Sequence, residues 1–175
     1  MYPNPFDYHR AGTVAEAISL PQELGDDAKI VAGGHSLLPA MKAPRQSGSF
    51  DRHHRHSRTS IRSPTSDYIE IGALTRHVTL TKDPIIAAKA PLLAAIADEI
   101  GDRQIRARGT IGGVVAHADP AADYPAGLLA LDAEVVSVGP GGETVRLIGD
   151  FLVSIFTTTL GADEVAMGDP HPGSA

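Results

Sequence analysis

The chain has 175 residues, a formal net charge of −6, 42% hydrophobic and 21% charged residues, and no cysteine. This length allows one hydrophobic core or two small lobes that share one, and the composition is ordinary for a globular protein. The acidic balance excludes an extended nucleic-acid interface, and the lack of cysteine excludes disulfides, iron–sulfur ligation and a thiol nucleophile. Because no apolar run approaches the roughly 20 residues that span a membrane and the start is unlike a secretory signal, the sequence predicts a cytoplasmic protein.

The first part of the chain predicts a helix, a strand and a second, short helix. A helix is expected over residues 13–24, because Thr13 can cap it and Glu16 follows at the capping-box position. Residues 28–32 form a short apolar run that predicts a buried strand. Ser36 is a candidate N-cap for the short helix that follows.

The second part of the chain predicts one more strand, two helices and a hairpin. The expected elements are a strand over residues 68–73, helices over 81–88 and 91–100, and strands over 133–138 and 143–148 that are joined by a glycine-rich turn. Alternating strands and helices followed by an antiparallel hairpin favour an α+β or α/β domain with two lobes.

One stretch, between residues 44 and 64, departs from this pattern. It is rich in arginine and histidine, and its only large apolar residues are Phe50 and Ile61. A loop of this length inside a compact domain is unusual. The clustered His53, His54 and His56 allow a zinc or nickel site as one interpretation and a plain solvated loop as the other, and a plain loop is favoured because adjacent residues do not easily share one tetrahedral ion.

A first glycine motif, Ala-Gly-Gly-His-Ser at residues 32–36, follows the predicted strand and precedes a predicted helix. Paired glycines turn tightly and leave the backbone amides open to a ligand, so this motif suits an anion such as a pyrophosphate. The same glycines can equally serve only to turn a corner. The motif is neither the G-x-G-x-x-G fingerprint nor a Walker A loop, which argues against a nicotinamide cofactor or an NTPase.

A second glycine motif, Gly-Thr-Ile-Gly-Gly at residues 109–113, adds another pair of glycines and the hydroxyl of Thr110. Asp123 lies shortly after it and offers a carboxylate that can accept hydrogen bonds from ribose hydroxyls. Two such loops can hold one elongated ligand from both sides. The pair is much more specific than either motif alone.

Together these segments resemble the FAD-binding subunit of molybdenum hydroxylases, as in the medium subunit of carbon monoxide dehydrogenase and the flavin domain of xanthine dehydrogenase. The family pattern reads A-G-G-[QH]-S-L-L-P-x-M-K, I-G-A-L-T-x-H, R-x-R-G-T-I-G-G and A-H-A-D-P-A-A-D-x-P. The corresponding segments here are residues 32–42, 71–77, 106–113 and 116–125. The resemblance implies an α+β, two-lobed FAD-binding domain of the PCMH type over residues 1–167, with a small α/β lobe, a larger lobe with a mixed or antiparallel sheet, and the family's C-terminal domain missing.

The resemblance also implies the cofactor, its ligands and the partners. The cofactor is FAD, held by residues that match the family motifs: Ala32, Gly33, Gly34, His35, Ser36, Leu37, Thr110, Ile111, Gly112, Gly113, Val114 and Asp123. Val114 replaces a residue that is often asparagine in the family. The expected partners are a large subunit with the molybdenum cofactor and a small subunit with 2Fe-2S clusters, from which FAD passes electrons to an acceptor.

No side chain of this chain is expected to act as a catalytic nucleophile or general base, because the flavin carries out the redox chemistry. His35 and His117 have no partnered nucleophile in the sequence, so they are interpreted as structural or cofactor-packing residues. Arg106 and Arg108 either face a phosphate or are solvated surface charges.

Two segments differ from the family in a way that suggests shifts of the reading frame. A possible DNA sequence for residues 52–59, read one base out of register, encodes Ile-Asp-Ile-Thr-Gly-Ile-Pro-Glu-Leu, which is the family segment. Residues 168–175 similarly give Glu-Ile-Arg-Ile-Pro-Ala-Ala, a family strand. We therefore interpret residues 44–66 as anomalous and 168–175 as an aberrant tail; a continuous reading frame found by resequencing the DNA would contradict this.

These differences predict weak or absent FAD binding by the chain as written. Loss of the family strand after residue 44 would expose backbone pairing groups in the first lobe, at a cost of several kcal/mol against a total stability of about 5–15. An inactive product of a disturbed reading frame and a nucleotide-binding module without redox activity are therefore alternative functions.

Overall fold

The structure is a computed structural model that describes residues 5–25, 27–42, 50–52, 61–62 and 68–168. Within these ranges the helices are α1 (Val14–Leu24), α2 (Leu37–Met41), α3 (His77–Leu80), α4 (Pro84–Lys89), α5 (Pro91–Glu99), α6 (Arg103–Arg106), α7 (Ile111–His117), α8 (Asp123–Ala130) and α9 (Ile148–Phe151). The strands are β1 (Tyr8–His9), β2 (Lys29–Val31), β3 (Phe50–Arg52), β4 (Ile61–Arg62), β5 (Glu70–Ile71), β6 (Glu134–Gly139), β7 (Gly142–Leu147), β8 (Leu152–Ser154), β9 (Thr157–Thr158) and β10 (Val165–Ala166).

The first lobe is a small α/β unit, as the sequence predicts. Strands β1, β3 and β2 form a parallel sheet in that order. Helix α1 begins where expected, because the hydroxyl of Thr13 accepts a hydrogen bond from the amide of Glu16 at 3.1 Å, and the carboxylate of Glu16 accepts one from the amide of Gly12. Helix α2 also forms, although Ser36 at its N-cap position makes no side-chain capping bond.

The anomalous stretch contains the central strand of this sheet, β3, which the sequence does not predict. This strand pairs in parallel with both β1 and β2, and Phe50 lies opposite both Tyr8 and Lys29. Strand pairing uses backbone groups, which the side-chain pattern of a sequence does not reveal. Strand β4 likewise pairs with β5. His53, His54 and His56 lie outside the described residues.

The larger lobe combines short helices with an antiparallel sheet of order β10-β6-β7. The predicted hairpin is confirmed: β6 and β7 pair from Glu134 opposite Leu147 to Gly139 opposite Gly142. The helix predicted from residue 81 begins later, at Pro84. The carboxylate of Asp83 accepts hydrogen bonds from two amides of the first turn of α4, and Pro84 suits the first helical position. Residues 81–83 form the turn between α4 and the separate, four-residue helix α3.

Two apolar clusters stabilise the two lobes. The larger one is centred on side chains that are fully or almost fully buried, including Leu80, Ile86, Leu93, Tyr124 and Phe151. The smaller one consists of Ala11, Ala17, Val165 and Met167, so it joins α1 to β10 near the far end of the chain. This two-lobed α+β arrangement confirms the predicted fold class. Among the described residues, no helix is long and apolar enough to cross a membrane.

Candidate functional site

The first glycine loop leaves β2 and leads into α2, as the sequence predicts. Gly34 has φ +79°, a left-handed conformation that favours glycine. The amides of Gly33, Gly34, His35 and Ser36 have no hydrogen-bond partner among the described residues. His35 and Ser36 are exposed. The loop therefore presents backbone donors that a ligand can use.

The second glycine loop connects α6 to α7, and most of its amides are already bonded. The amide of Ile111 donates to the carbonyl of Thr75 at 3.0 Å, and that of Gly112 donates to the carbonyl of Ala73 at 2.9 Å. The amide of Gly113 makes a long, 3.3 Å bond to the hydroxyl of Thr110, which caps α7. The amides of Ile111 and Gly112 are therefore used within the protein.

The two loops lie against each other. The backbone carbonyl of Arg108 and the Cα of Gly109 occupy the space where a side chain on Gly33 would begin. Gly113 lies in ordinary van der Waals range of the first loop, because a Cβ built on it would lie 3.6 Å from the Cβ of Ala32. Both loops line one cleft of about 430 Å³. The close contact requires glycine at Gly33, since any Cβ there would push the loops apart.

Most of the predicted site residues meet in this cleft. Those that line it are Ala32, Gly33, Gly34, His35, Ser36, Leu37, Thr110, Gly112, Gly113 and Val114. Ile111 is not among them, since it is 6% exposed and packs in the larger apolar cluster. Asp123 is not among them either. It is an exposed residue at the first position of α8, whose helix packs against α7.

Residues 4–168 match the family described as FAD binding domain in molybdopterin dehydrogenase. The chain belongs to this family. It is 41% identical to the carbon monoxide dehydrogenase medium chain of Hydrogenophaga pseudoflava and 43% identical to the 6-hydroxypseudooxynicotine dehydrogenase complex subunit alpha of Paenarthrobacter nicotinovorans. These alignments cover 94% and 91% of this chain but 58% and 54% of those proteins. The chain thus spans little more than half the length of these relatives.

Solved structures agree with the sequence comparison. A carbon monoxide dehydrogenase from Hydrogenophaga pseudoflava that lacks the Mo-pyranopterin moiety of its cofactor superposes with a TM-score of 0.90 at 41% identity, over 95% of this chain and 58% of that one. Quinoline 2-oxidoreductase from Pseudomonas putida 86 superposes with a TM-score of 0.88 at 29% identity, over 95% and 58%. The predicted family and its fold are therefore confirmed.

The cleft fits the diphosphate of FAD, the cofactor named in the family's description. The first loop supplies amides that have no partner among the described residues and can donate to a diphosphate. Thr110, whose amide has no partner among the described residues, adds a donor and a hydroxyl from the other side. This family member thus has donors on both walls, although the first wall has more of them.

The carboxylate of Glu164, which lines the cleft, forms an ion pair with Arg146. Arg146 binds the carboxylate of Glu164 through two hydrogen bonds of 3.1 Å and also donates to Ser137 at 2.6 Å. Burial acts to raise the pKa of Glu164, but the hydrogen bonds from Arg146 and from the amide of Gly161 hold it below its usual value. The carboxylate stays ionised and paired, which limits its repulsion of a diphosphate.

The structure supports neither of the two interpretations of Arg106 and gives it a third role. Its guanidinium donates to the carbonyls of Asp98, Ile100 and Gly101 at 2.9–3.0 Å, where α5 ends. This residue therefore stabilises the loop after α5 and does not face the cleft. Arg108 is exposed, and only its backbone carbonyl contacts the first glycine loop.

Sequence reasoning missed part of the cleft lining. His117, for which a structural or cofactor-packing role is expected, lines the cleft, and its ring lies 5.0 Å from that of Phe156. The missed residues are His77, Leu160, Glu164 and Ala166. Their distance from the glycine motifs along the chain hides this contribution. The position of His77 in a family motif was the available signal, although the motif does not reveal which atoms the ring contacts.

A second cavity is larger, about 790 Å³, but is a weaker candidate for the cofactor. It lies between β5, α5, α8 and β6 and has mainly apolar walls. Of the two glycine motifs, the lining of this cavity includes Ile111 and Gly112 alone among the described residues. The amides of both residues are bonded within the protein. Within the part of the chain that the structure describes, no three His, Cys, Asp or Glu residues lie close enough to hold a metal ion.

Proposed function

We propose that this chain binds FAD in the glycine-loop cleft and forms the FAD-binding part of a molybdenum hydroxylase flavoprotein subunit. The observation that carries the proposal is the contact between Gly33 and the Arg108–Gly109 backbone. This contact brings two motifs that are far apart in the sequence into one site. Membership of the FAD-binding family supports the same cofactor.

In this proposal the walls of the cleft have distinct tasks. Amides of Gly33, Gly34 and His35 bind the diphosphate, while the amide of Thr110 donates from the opposite wall, which Gly113 also lines. Asp123 accepts hydrogen bonds from a ribose hydroxyl, in line with acidic residues of other dinucleotide sites. Ile111 anchors the second loop in the larger apolar cluster. FAD, when bound, accepts and releases one or two electrons.

The partners follow from the relatives. We propose that the electrons come from a large subunit with the molybdenum cofactor, through a small subunit with 2Fe-2S clusters, and leave to an acceptor. The names of the relatives mention carbon monoxide, nicotine and caffeine, so the FAD-binding subunit is compatible with several substrates and does not select one. We also propose a cytoplasmic location, which cell fractionation tests.

The direct test is to titrate the purified 175-residue chain with ADP and with FAD and to record calorimetric heat and flavin absorbance. We expect ADP to bind, because it carries the diphosphate and ribose that the described residues fit. A folded chain that binds neither compound contradicts the proposal.

The same titration separates the alternative functions. A yellow protein that dithionite bleaches supports the redox subunit. A colourless, folded protein that binds ADP but not FAD supports a nucleotide-binding module. An insoluble protein without cooperative unfolding supports an inactive product of a disturbed reading frame.

A further inference from the structure

His77 packs against the backbone of the second glycine loop at Gly109. The residue is 2% exposed, and its amide donates to the carbonyl of Gly109 at 3.2 Å. Its ring is so close to this backbone that a Cβ on Gly109 would come within 2.5 Å of Nε2. The ring also lines the cleft. Main chain and side chain of one residue thus hold the start of the second loop.

The opposite edge of the His77 ring, at Nδ1, contacts α8. Nδ1 of His77 lies 3.0 Å from the hydroxyl of Tyr124, a fully buried residue. Tyr124 follows Asp123, the candidate ribose ligand, at the start of that helix. The imidazole therefore contacts both the loop that faces the diphosphate and the helix that carries the ribose carboxylate.

The contact with Tyr124 favours one tautomer of His77. A buried phenol hydroxyl needs an acceptor, and Nδ1 of His77 is the partner of Tyr124 among the described residues. Burial and the charge of His35 lower the pKa of His77 to about 4, and burial raises that of Tyr124, so both groups are neutral near pH 7. With Nδ1 accepting, the ring hydrogen is on Nε2, the atom that faces Gly109.

We propose that His77 is a positioning residue for the ADP half of the cofactor: with Tyr124 it fixes the second glycine loop and α8 relative to each other, so that diphosphate and ribose contacts form together. This inference rests on the proposed FAD site and assigns that site a residue outside both glycine motifs. A merely structural role would stabilise the core without coupling the two contacts.

Tyr124→Phe tests the proposal, because it removes the hydroxyl and keeps the ring. Ile86→Val is the matched control, since Ile86 is fully buried in the same apolar cluster but does not line the cleft. We expect both variants to lower Tm. Only Tyr124→Phe should raise the Kd of ADP, by about tenfold, as expected when one buried hydrogen bond is lost.

A double-mutant cycle tests the coupling. Asp123→Asn should raise the Kd of ADP in the unmodified chain, and by a clearly smaller factor in the Tyr124→Phe background, because α8 is then no longer held in register. Equal factors in both backgrounds would overturn the proposal. If Tyr124→Phe does not fold, His77→Gln replaces it in the same cycle.

Two further measurements test the proposal. The first needs no variant, and the second needs no ligand. Nitrogen NMR shifts of the unmodified chain should show the hydrogen of His77 on Nε2, and a hydrogen on Nδ1 would overturn the proposal. Amide exchange at residues 109–113 should be faster in Tyr124→Phe than in Ile86→Val without ligand. An unmodified chain that fails to bind ADP overturns the FAD site and this inference together, whereas normal ADP binding by Tyr124→Phe overturns the inference alone.

Discussion

In the first glycine loop the amides of Gly33 and His35 have no partner among the described residues, whereas in the second the amides of Ile111 and Gly112 are bonded to the segment before α3. The two motifs look alike in sequence but differ in structure. The first is open and supplies donors. The second is anchored in the core through the amides of Ile111 and Gly112, while Thr110, Gly112 and Gly113 line the cleft.

The largest expected effect concerns His77, the buried residue that contacts the second glycine loop. The pKa of His77 is about 4 in the folded chain and 6.5 in the unfolded one, so between these values the unfolded chain binds more protons. The free energy of unfolding should therefore decrease as the pH falls from 6.5 to 4, by up to about 3 kcal/mol. Urea unfolding of the chain and of His77→Gln measures this. A parallel loss in both would show that His77 is not responsible.

The second effect concerns the contact between the loops. Gly33→Ala places a Cβ against the carbonyl of Arg108, which should destabilise the chain by about 1–3 kcal/mol and raise the Kd of ADP at least about tenfold. Gly141→Ala is the control, because its Cβ meets no atom within 4 Å. Calorimetric titration and thermal unfolding measure both quantities. Equal ADP affinity in the two variants would mean that the loops do not act as one site.

A third comparison isolates the open loop. Gly34 and Gly25 have φ values of +79° and +81°, so alanine at either position should cost about 1–2 kcal/mol through backbone strain. Gly25→Ala has free space around its Cβ and lies outside the cleft. Only Gly34→Ala should weaken ADP binding. If the two variants bind ADP alike, the first loop is a structural turn and not a donor site.

The smallest effect concerns the cap of α7. Thr110→Val removes the hydroxyl that accepts from Gly113, and Thr13→Val removes the equivalent cap of α1. Each should lose about 1 kcal/mol of stability in urea unfolding. ADP affinity should fall for Thr110→Val alone, because Thr13 is absent from the cleft lining. An unchanged affinity would restrict Thr110 to capping.

Local signals explain what the sequence predicts well. The cap of α1 and the hairpin of β6 and β7 depend on neighbouring residues, and both appear in the structure. The family motifs also locate both walls of the cleft. These features are encoded within a few residues, where side-chain pattern and backbone conformation are closely linked.

Features that depend on distant residues escape sequence reasoning. The amide of Gly112 is bonded by Ala73, and the ring of His77 by Tyr124, 47 residues away. Neither partner is evident from the sequence. Strand β3 is missed for a related reason, since its pairing with β1 and β2 depends on backbone hydrogen bonds and not on apolar alternation.

The small cluster of Ala11, Ala17, Val165 and Met167 has a consequence for synthesis on the ribosome. A nascent chain that has not yet reached Val165 leaves α1 without the part of its packing that Val165 and Met167 provide, however well the helix itself is capped. Closure of the first lobe must wait for late residues, so its folding is governed by contacts of long sequence separation and is slow. During that interval the exposed face is available to chaperones or to misassembly with other chains.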